Sequence, residues 1–264
     1  MTTAVIAIES VGRRVRLAVE GVGDTAGYLA DVGRAFADVR TWVPQAGTQA
    51  RRLGVDSMPI GIFIALFTGV VLALLASYSF TGAVPLYFVG TLVEKTITME
   101  LAPVLTGLAL AGRVGANIAA ELGTMKVTEQ IDALEILTYD PYAFLVAPRV
   151  LAGALMFPVV VAAAMLTGVA AGWGASILLL DISSQEFVKG VRLFFETFDV
   201  RYGLVKSASF GVAVTLIGAR AGLRARGGAE GVGAAATRAV VLSAIAILVL
   251  DALWAVVWLL GHTR

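Results

Sequence analysis

Few side chains in this 264-residue sequence are equipped for covalent chemistry. Cysteine is absent, which excludes disulfides, iron–sulfur clusters and thiol catalysis. The only histidine, His262, stands two residues from the end, so a histidine triad or a zinc site is nearly excluded. What remains are charges set among apolar residues: Glu100, Lys206 and Asp251. A charge within a spanning segment is costly and by default functional. Asp251, among Leu250, Leu253 and Trp254, calls for a neutralising partner inside a helix bundle. A phosphate-cradling loop is missing, because Gly-x4-Gly-Lys-Ser/Thr does not occur. Lys95-Thr96 and Lys206-Ser207 follow Glu94 and Val205 where that motif has glycine. If the protein uses nucleotide energy, another chain supplies it.

The surroundings of these charges are membrane-like. Hydrophobic residues make up 58%, charged residues 15%, and the mean hydropathy is +0.87. A soluble domain runs near ~45–50% apolar and ~25% charged, so an all-α polytopic membrane protein is expected. The net charge of +1 leaves no footprint for nucleic acid. A spanning helix needs about 20 mostly apolar residues. Five segments qualify: Pro59 to Tyr78, Leu86 to about Ala120, Val150 to Leu180, Tyr202 to Ala219 and Ala239 to Leu260. Thr81-Gly82-Ala83-Val84-Pro85 breaks the chain after the first, and Pro158 falls inside the third. With a cytoplasmic N-terminus, fourteen of the twenty Lys and Arg fall on the inner side, so the positive-inside rule places the C-terminus outside.

Residues 1–56 contain no apolar run before a small-residue cleavage site, so no signal peptide is expected. Val11, Val15, Val19, Val22, Leu29, Phe36, Val39 and Val43 recur at helical spacing, which predicts an amphipathic helix at the membrane interface, ended by Pro44. The competing reading is a soluble helix packed on a partner. Residues 57–264 then form the transmembrane domain. Phe187, Val191, Phe194, Phe195 and Phe198 predict a short amphipathic helix on the outer surface. Between the second and third spans, Val127, Ile131 and Leu134 share one face while Lys126, Glu129, Asp132 and Glu135 drift around another. That predicts a short cytoplasmic helix over Thr124 to Thr138, able to dock on a soluble partner or simply to float at the interface. Asp140-Pro141 then reads as an N-cap followed by proline at the first helical position. The glycines from Gly227 to Gly233 read as a turn in a cytoplasmic loop.

An apolar wall suits an apolar ligand. Leu66, Val70, Leu74 and Tyr78 fall on one face of the first span, with Leu72, Leu75 and Leu101 as further candidates. Plain helix packing explains such a stripe equally. Ala65, Gly69 and Ala73 share a face, as do Gly168 and Gly172, and small residues four apart let helices approach closely. That contact could build a dimer or pack spans of one chain.

Glu100-Leu101-Ala102-Pro103-Val104-Leu105-Thr106-Gly107, Leu110-Ala111-Gly112-Arg113-Val114-Gly115-Ala116 and Ala120-Glu121-Leu122-Gly123-Thr124-Met125-Lys126-Val127-Thr128-Glu129-Gln130-Ile131-Asp132-Ala133-Leu134 resemble the MlaE (YrbE) permease family. Asp140-Pro141, Ala147-Pro148-Arg149, Gly231-Val232-Gly233, Ala236-Thr237-Arg238-Ala239-Val240-Val241 and Asp251 extend the likeness over roughly residues 50–260. The resemblance implies the membrane subunit of an ABC transporter that moves phospholipid or a related lipid in a bacterial inner membrane. It further implies a second permease copy, an ATPase subunit that takes the coupling helix, a periplasmic MCE-domain ring and a supporting STAS-domain subunit. It implies no cofactor and no catalytic residue in this chain. Glu100 and Lys206 match positions near the family's lipid cavity, where they would meet a head group or each other; the plainer reading is a structural ion pair or a charge snorkelling to water. The family often carries Arg just before this Glu; here Met99 stands there, and Lys95, one turn earlier, is the candidate replacement.

Two other functions fit the residues alone. An ion-coupled secondary transporter would use Glu100, Lys206 and Asp251 as a relay, although an odd span count without inverted-repeat halves weighs against it. A membrane scaffold would use the inner helix only to recruit a soluble protein.

Overall fold

Backbone groups in hydrocarbon find no water, so a chain that crosses it must bond its own N–H and C=O groups within helices. The computed structural model describes residues 20–80 and 84–262, and regular structure among them is helical throughout. The order is α1 (residues 20–35), α2 (Val39–Leu53), α3 (Met58–Ser79), α4 (Phe88–Thr96), α5 (Ala102–Leu110), α6 (Ala116–Val127), α7 (Gln130–Ile136), α8 (Ala147–Leu179), α9 (Ser184–Phe194), α10 (Thr197–Leu223) and α11 (Gly228–His262). Helices α4, α5 and α6 form one continuous rod, joined by π-helical turns at Ile97–Leu101 and Ala111–Gly115. Among the described residues, five stretches are long and apolar enough to cross a membrane: Val39–Ser79, Phe88–Val127, Tyr142–Leu179, Thr197–Leu223 and Gly228–Leu260. The protein is an all-α polytopic membrane protein, as its composition demands.

Helix α8 is the centre of the bundle and packs on α2, α3 and α10. One apolar core, around Leu110, Phe157, Phe210 and Ile247, fills the half that adjoins α1 and α7. A second, around Val89, Val93, Ile97 and Phe187, fills the half beneath α9. Large apolar side chains along α3 and α11 remain exposed, including Phe63, Phe67, Val71, Leu248 and Leu253, as expected of surfaces that meet acyl chains.

Several element boundaries differ from the pattern-based reading. The predicted N-terminal helix does not run to Pro44. It ends near Ala35, and Pro44 lies inside α2. The break is closed locally: the Trp42 indole donates to the Phe36 carbonyl at 3.1 Å, filling an acceptor that a helix end leaves open. The face of α1 turned to the bundle is Tyr28, Val32 and Ala35, while Val22, Leu29, Val39 and Val43 are exposed. The Tyr28 hydroxyl donates to the Leu216 carbonyl of α10 at 3.0 Å, and burial pushes its pKa up, so it stays a donor. Val11, Val15 and Val19 of the predicted stripe lie outside the described residues, as do Thr81, Gly82 and Ala83.

The predicted helix over Thr124 to Thr138 is two pieces. Helix α6 runs on to Val127, the chain turns at Glu129 in the left-handed region (φ 61°), and α7 follows. Within the turn, the Thr128 hydroxyl donates back to the Thr124 carbonyl and Lys126 pairs with Asp132 at 2.7 Å. Beyond it, the Asp140 carboxylate accepts from the Tyr142 N–H at 2.9 Å, so Asp140-Pro141 opens the third span as its chemistry predicts.

The predicted amphipathic helix from Phe187 to Phe198 is also divided. A reciprocal cap between Ser183 and Glu186 starts α9, and a second between Glu196 and Asp199 starts α10, so Phe198 belongs to the fourth span. The fourth and fifth spans reach further than their apolar cores. Only Arg224 to Gly227 separate them; the backbone reverses at Gly227 (φ 88°) and Gly228 (φ 67°), and Gly231 and Gly233 are already helical. The loop expected between Ala219 and Ala239 is therefore a tight corner.

A buried ion triad and the groove beside it

Glu100, Lys206 and Asp251 stand nine to twelve residues from the α9-side ends of their three spans. At about 1.5 Å per residue that is a common depth of roughly 14–18 Å. The three meet there. The Lys206 Nζ lies 2.6 Å from Glu100 Oε2 and 2.5 Å from Asp251 Oδ1, and the lysine side chain is completely buried. The contact with Glu100 is an aligned hydrogen bond, whereas the contact with Asp251 is an ion pair. Asp251 thus finds its neutralising partner in Lys206.

Local sequence explains how a lysine reaches this position. Pro103 has no N–H to give to the carbonyl four residues earlier. That carbonyl belongs to Met99, in the π-helical turn that also carries Glu100, and it accepts from Lys206 Nζ at 3.2 Å. One ammonium therefore serves a carboxylate and the acceptor that proline leaves open. Helix α10 comes close enough because residue 203 is glycine: a Cβ there would run into the Thr98 carbonyl. Lys206 follows three residues later on the same face.

Of the three, Glu100 lines a groove of about 490 Å³ together with Lys95, Met99, Tyr202, Ala255 and Trp258. The Glu100 side chain is 45% exposed to it. Its aromatic lining, Tyr202 and Trp258, is shared with an adjoining hollow that Phe198 and Trp254 also line. Phe198 stacks on Tyr202 with ring centroids 6.1 Å apart, and Trp254 meets Tyr202 edge-on at 5.9 Å. Lys206 Nζ lies 5.4 Å from the Tyr202 ring centre, a cation–π contact that adds to its two ionic ones. The Trp254 indole donates to the Ser209 hydroxyl at 3.0 Å, which leaves the ring body free for apolar contact.

Lys95 also lines the groove, but its ammonium is held by Asp199 at 2.5 Å rather than by Glu100. Its neighbour in sequence, Glu94, is buried and accepts from the Thr98 hydroxyl, one turn on, at 3.2 Å. At the other end of the bundle, Arg149 is buried and pairs with Glu121 at 3.0 Å, where Arg52 joins at 3.4 Å. This network ties α2, α6 and α8 together near α7.

Helix α3 contributes nothing to the lining of the Glu100 groove. Leu66, Leu74, Leu75 and Tyr78 are exposed on the outside of the bundle, whereas Val70 and Leu72 pack against the core beneath α9. Leu101 faces Ile64 and Thr68 of α3, on another side of its own helix. The structure therefore unites Glu100, Lys206 and Asp251 and leaves the α3 stripe apart. The reading of the sequence missed Tyr202, Trp254 and Asp199. For Tyr202 a signal was present: Phe198, Tyr202 and Lys206 recur every four residues and share one helical face.

The small-residue faces pack within the chain. Gly69 lies against Gly168 where α3 crosses α8, and Gly172 adjoins Gly69 one turn on. They are used for intrachain packing, the second of the two roles their spacing allowed.

The family model described as Permease MlaE matches residues 46–257. A probable ABC transporter permease of Synechocystis is 41% identical over 201 residues, covering 76% of each chain. Another of Rickettsia prowazekii is 41% identical over 197 residues, 75% of this chain and 76% of its own. The chloroplastic protein TRIGALACTOSYLDIACYLGLYCEROL 1 of Arabidopsis thaliana is 32% identical over 203 residues, 77% of this chain and 58% of its own. A family match across nearly all five spans, and relatives at 41% identity named as probable ABC transporter permeases, lead to one assignment: the chain belongs to the MlaE family of ABC transporter permeases, membrane subunits that work with an ATPase.

Proposed function

We propose that this chain is the non-catalytic membrane subunit of an ABC transporter that moves phospholipid, or a related lipid, between a bacterial inner membrane and a periplasmic MCE-protein ring. The observation that carries the reading is the Glu100 groove. A half-exposed carboxylate, backed by a buried lysine, lies beside an aromatic and apolar wall at a depth a head group and its first methylenes could share. The name of the Arabidopsis relative contains that of a lipid, trigalactosyldiacylglycerol, which agrees with such a cargo. Glu100 and Lys206 are the head-group residues in this reading, and Val70 belongs to the apolar packing behind them. Two copies of the chain pair as a homodimer, and a STAS-domain subunit supports the ATPase.

In this reading residues 1–56 form the interfacial region and 57–264 the permease domain, with a cytoplasmic N-terminus and a periplasmic C-terminus. The α7 side then faces the cytoplasm and α9 the periplasm. Ile136, Leu137 and Tyr139 are exposed beside the charged α7, an apolar tip with an acidic flank that suits a groove on the ATPase. Closure of the ATPase pair on nucleotide would push α7, and the rods joined to it would tilt.

Two measurements test this. Phospholipid should be found by mass spectrometry in the purified complex, and Ala255→Trp should displace most of it. Ala255 is exposed on the groove wall, so the indole fills the groove without disturbing the core. Unchanged lipid content with a filled groove would remove the lipid assignment. Reversing two charges, Glu129→Lys with Asp132→Lys, should abolish co-purification of the ATPase while the permease stays folded. Retained ATPase with unchanged turnover would refute coupling through α7.

A further inference from the structure

The corner between α10 and α11 gathers four arginines around one concavity. Arg220 and Arg224 come from the end of α10, Arg226 from the turn and Arg238 from α11. They line a pocket of about 430 Å³, closed on one side by Gly21 and Thr25 of α1. Only one of the four has an ionic partner among the described residues: Arg224 reaches Asp24 at 3.2 Å. The Arg220 Nε is buried without a hydrogen-bond partner, and its guanidinium rests 5.9 Å from the centre of the Tyr28 ring. So much unpaired guanidinium around a single hollow repels itself unless an anion enters. Guanidinium forks match the oxygens of phosphate.

The floor of the pocket decides the kind of phosphate. Ile217 and Leu242 line the pocket together with the arginines, and Leu242 is 46% exposed. Next to it Val241 and Ile245 are exposed along the outward face of α11. An apolar floor continuous with a membrane-facing helix serves an acyl chain and does nothing for a soluble anion.

We propose that this corner binds the phosphate of an anionic phospholipid from the leaflet on the α7 side. The bound lipid joins α1 to the ends of the fourth and fifth spans, so the fit of the N-terminal helix depends on the composition of that leaflet. The site lies at the opposite end of the bundle from the Glu100 groove and does not depend on that groove carrying cargo.

The test uses the full chain with its ATPase in nanodiscs of phosphatidylcholine doped with phosphatidylglycerol, and native mass spectrometry of the complex released from them. Phosphatidylglycerol should be retained, and Arg226→Gln with Arg238→Gln should lower its retention about tenfold, as expected from losing charge-assisted contacts. Both side chains are exposed, and an unchanged thermal transition verifies the fold. The control is Arg51→Gln, an exposed arginine on the same side but away from the pocket, which should leave retention unchanged. Inorganic phosphate in excess should not displace the lipid. Equal retention by the double variant, or equal loss with Arg51→Gln, would reduce the effect to general surface charge and overturn the proposal. Displacement by inorganic phosphate would overturn the lipid assignment in favour of a soluble anion.

Discussion

Replacing Lys206 by methionine is expected to destabilise the protein by about 3 kcal/mol. Breaking a buried pair by removing one partner costs about 3–5 kcal/mol, because the remaining charge is left uncompensated. Here two carboxylates are left facing each other. The lower end of the range applies because Glu100 is 45% exposed and Asp251 25%, so water screens part of the repulsion. The Met99 carbonyl loses its donor as well. In a thermal melt of the detergent-purified complex the transition should fall by roughly 6–12 °C.

Companion variants separate charge from packing. Glu100→Gln leaves Lys206 paired with Asp251 and should cost well under half as much. Glu100→Gln with Asp251→Asn leaves the fully buried ammonium with no counter-charge and should match Lys206→Met in severity. If Lys206→Met melts within about a degree of the parent, the triad does not hold the three spans together, and burial of the alkyl stem accounts for the lysine.

The second large effect should come from Gly69→Leu. At the crossing of α3 and α8, a Cβ at position 69 lands on the Gly168 backbone, not on a side chain that can turn away. Overpacking a core costs about 1–3 kcal/mol when neighbouring side chains can adjust. A backbone cannot, so the helices must separate and the interlocked core beneath α9 opens with them. We expect loss of monodisperse protein in size-exclusion chromatography. Gly174→Ala is the control on α8. Nothing lies within 4 Å of a Cβ there, and replacing a helix-interior glycine stabilises by about 0.5–1 kcal/mol. If Gly69→Leu were as well tolerated, the close crossing would not be what sets the distance between these spans.

Amino-acid types alone determined the solvent of this protein and much of its plan. Long charge-free runs must become helices in lipid, because no other open structure satisfies their backbone there. So five spans, Pro158 within the third and Asp140-Pro141 at its start were legible. The isolated charges Glu100, Lys206 and Asp251 marked themselves by what it costs to bury them.

Tertiary structure decided which of them meet and where elements end. Lys206 pairs with both carboxylates because Gly203 lets α10 lie against Thr98, and because Pro103 frees the Met99 carbonyl. Lys95 is taken by Asp199 on α10, a partner more than a hundred residues away that no local spacing reveals. Hydropathy placed the ends of the fourth and fifth spans too early and too late, since charged and glycine-rich turns were read as loop. Folded, those turns continue as helix, and four arginines spread over nineteen residues close on one pocket. Periodicity reports which face of a helix is apolar; only packing against the other helices decides whether that face meets protein, lipid or a groove.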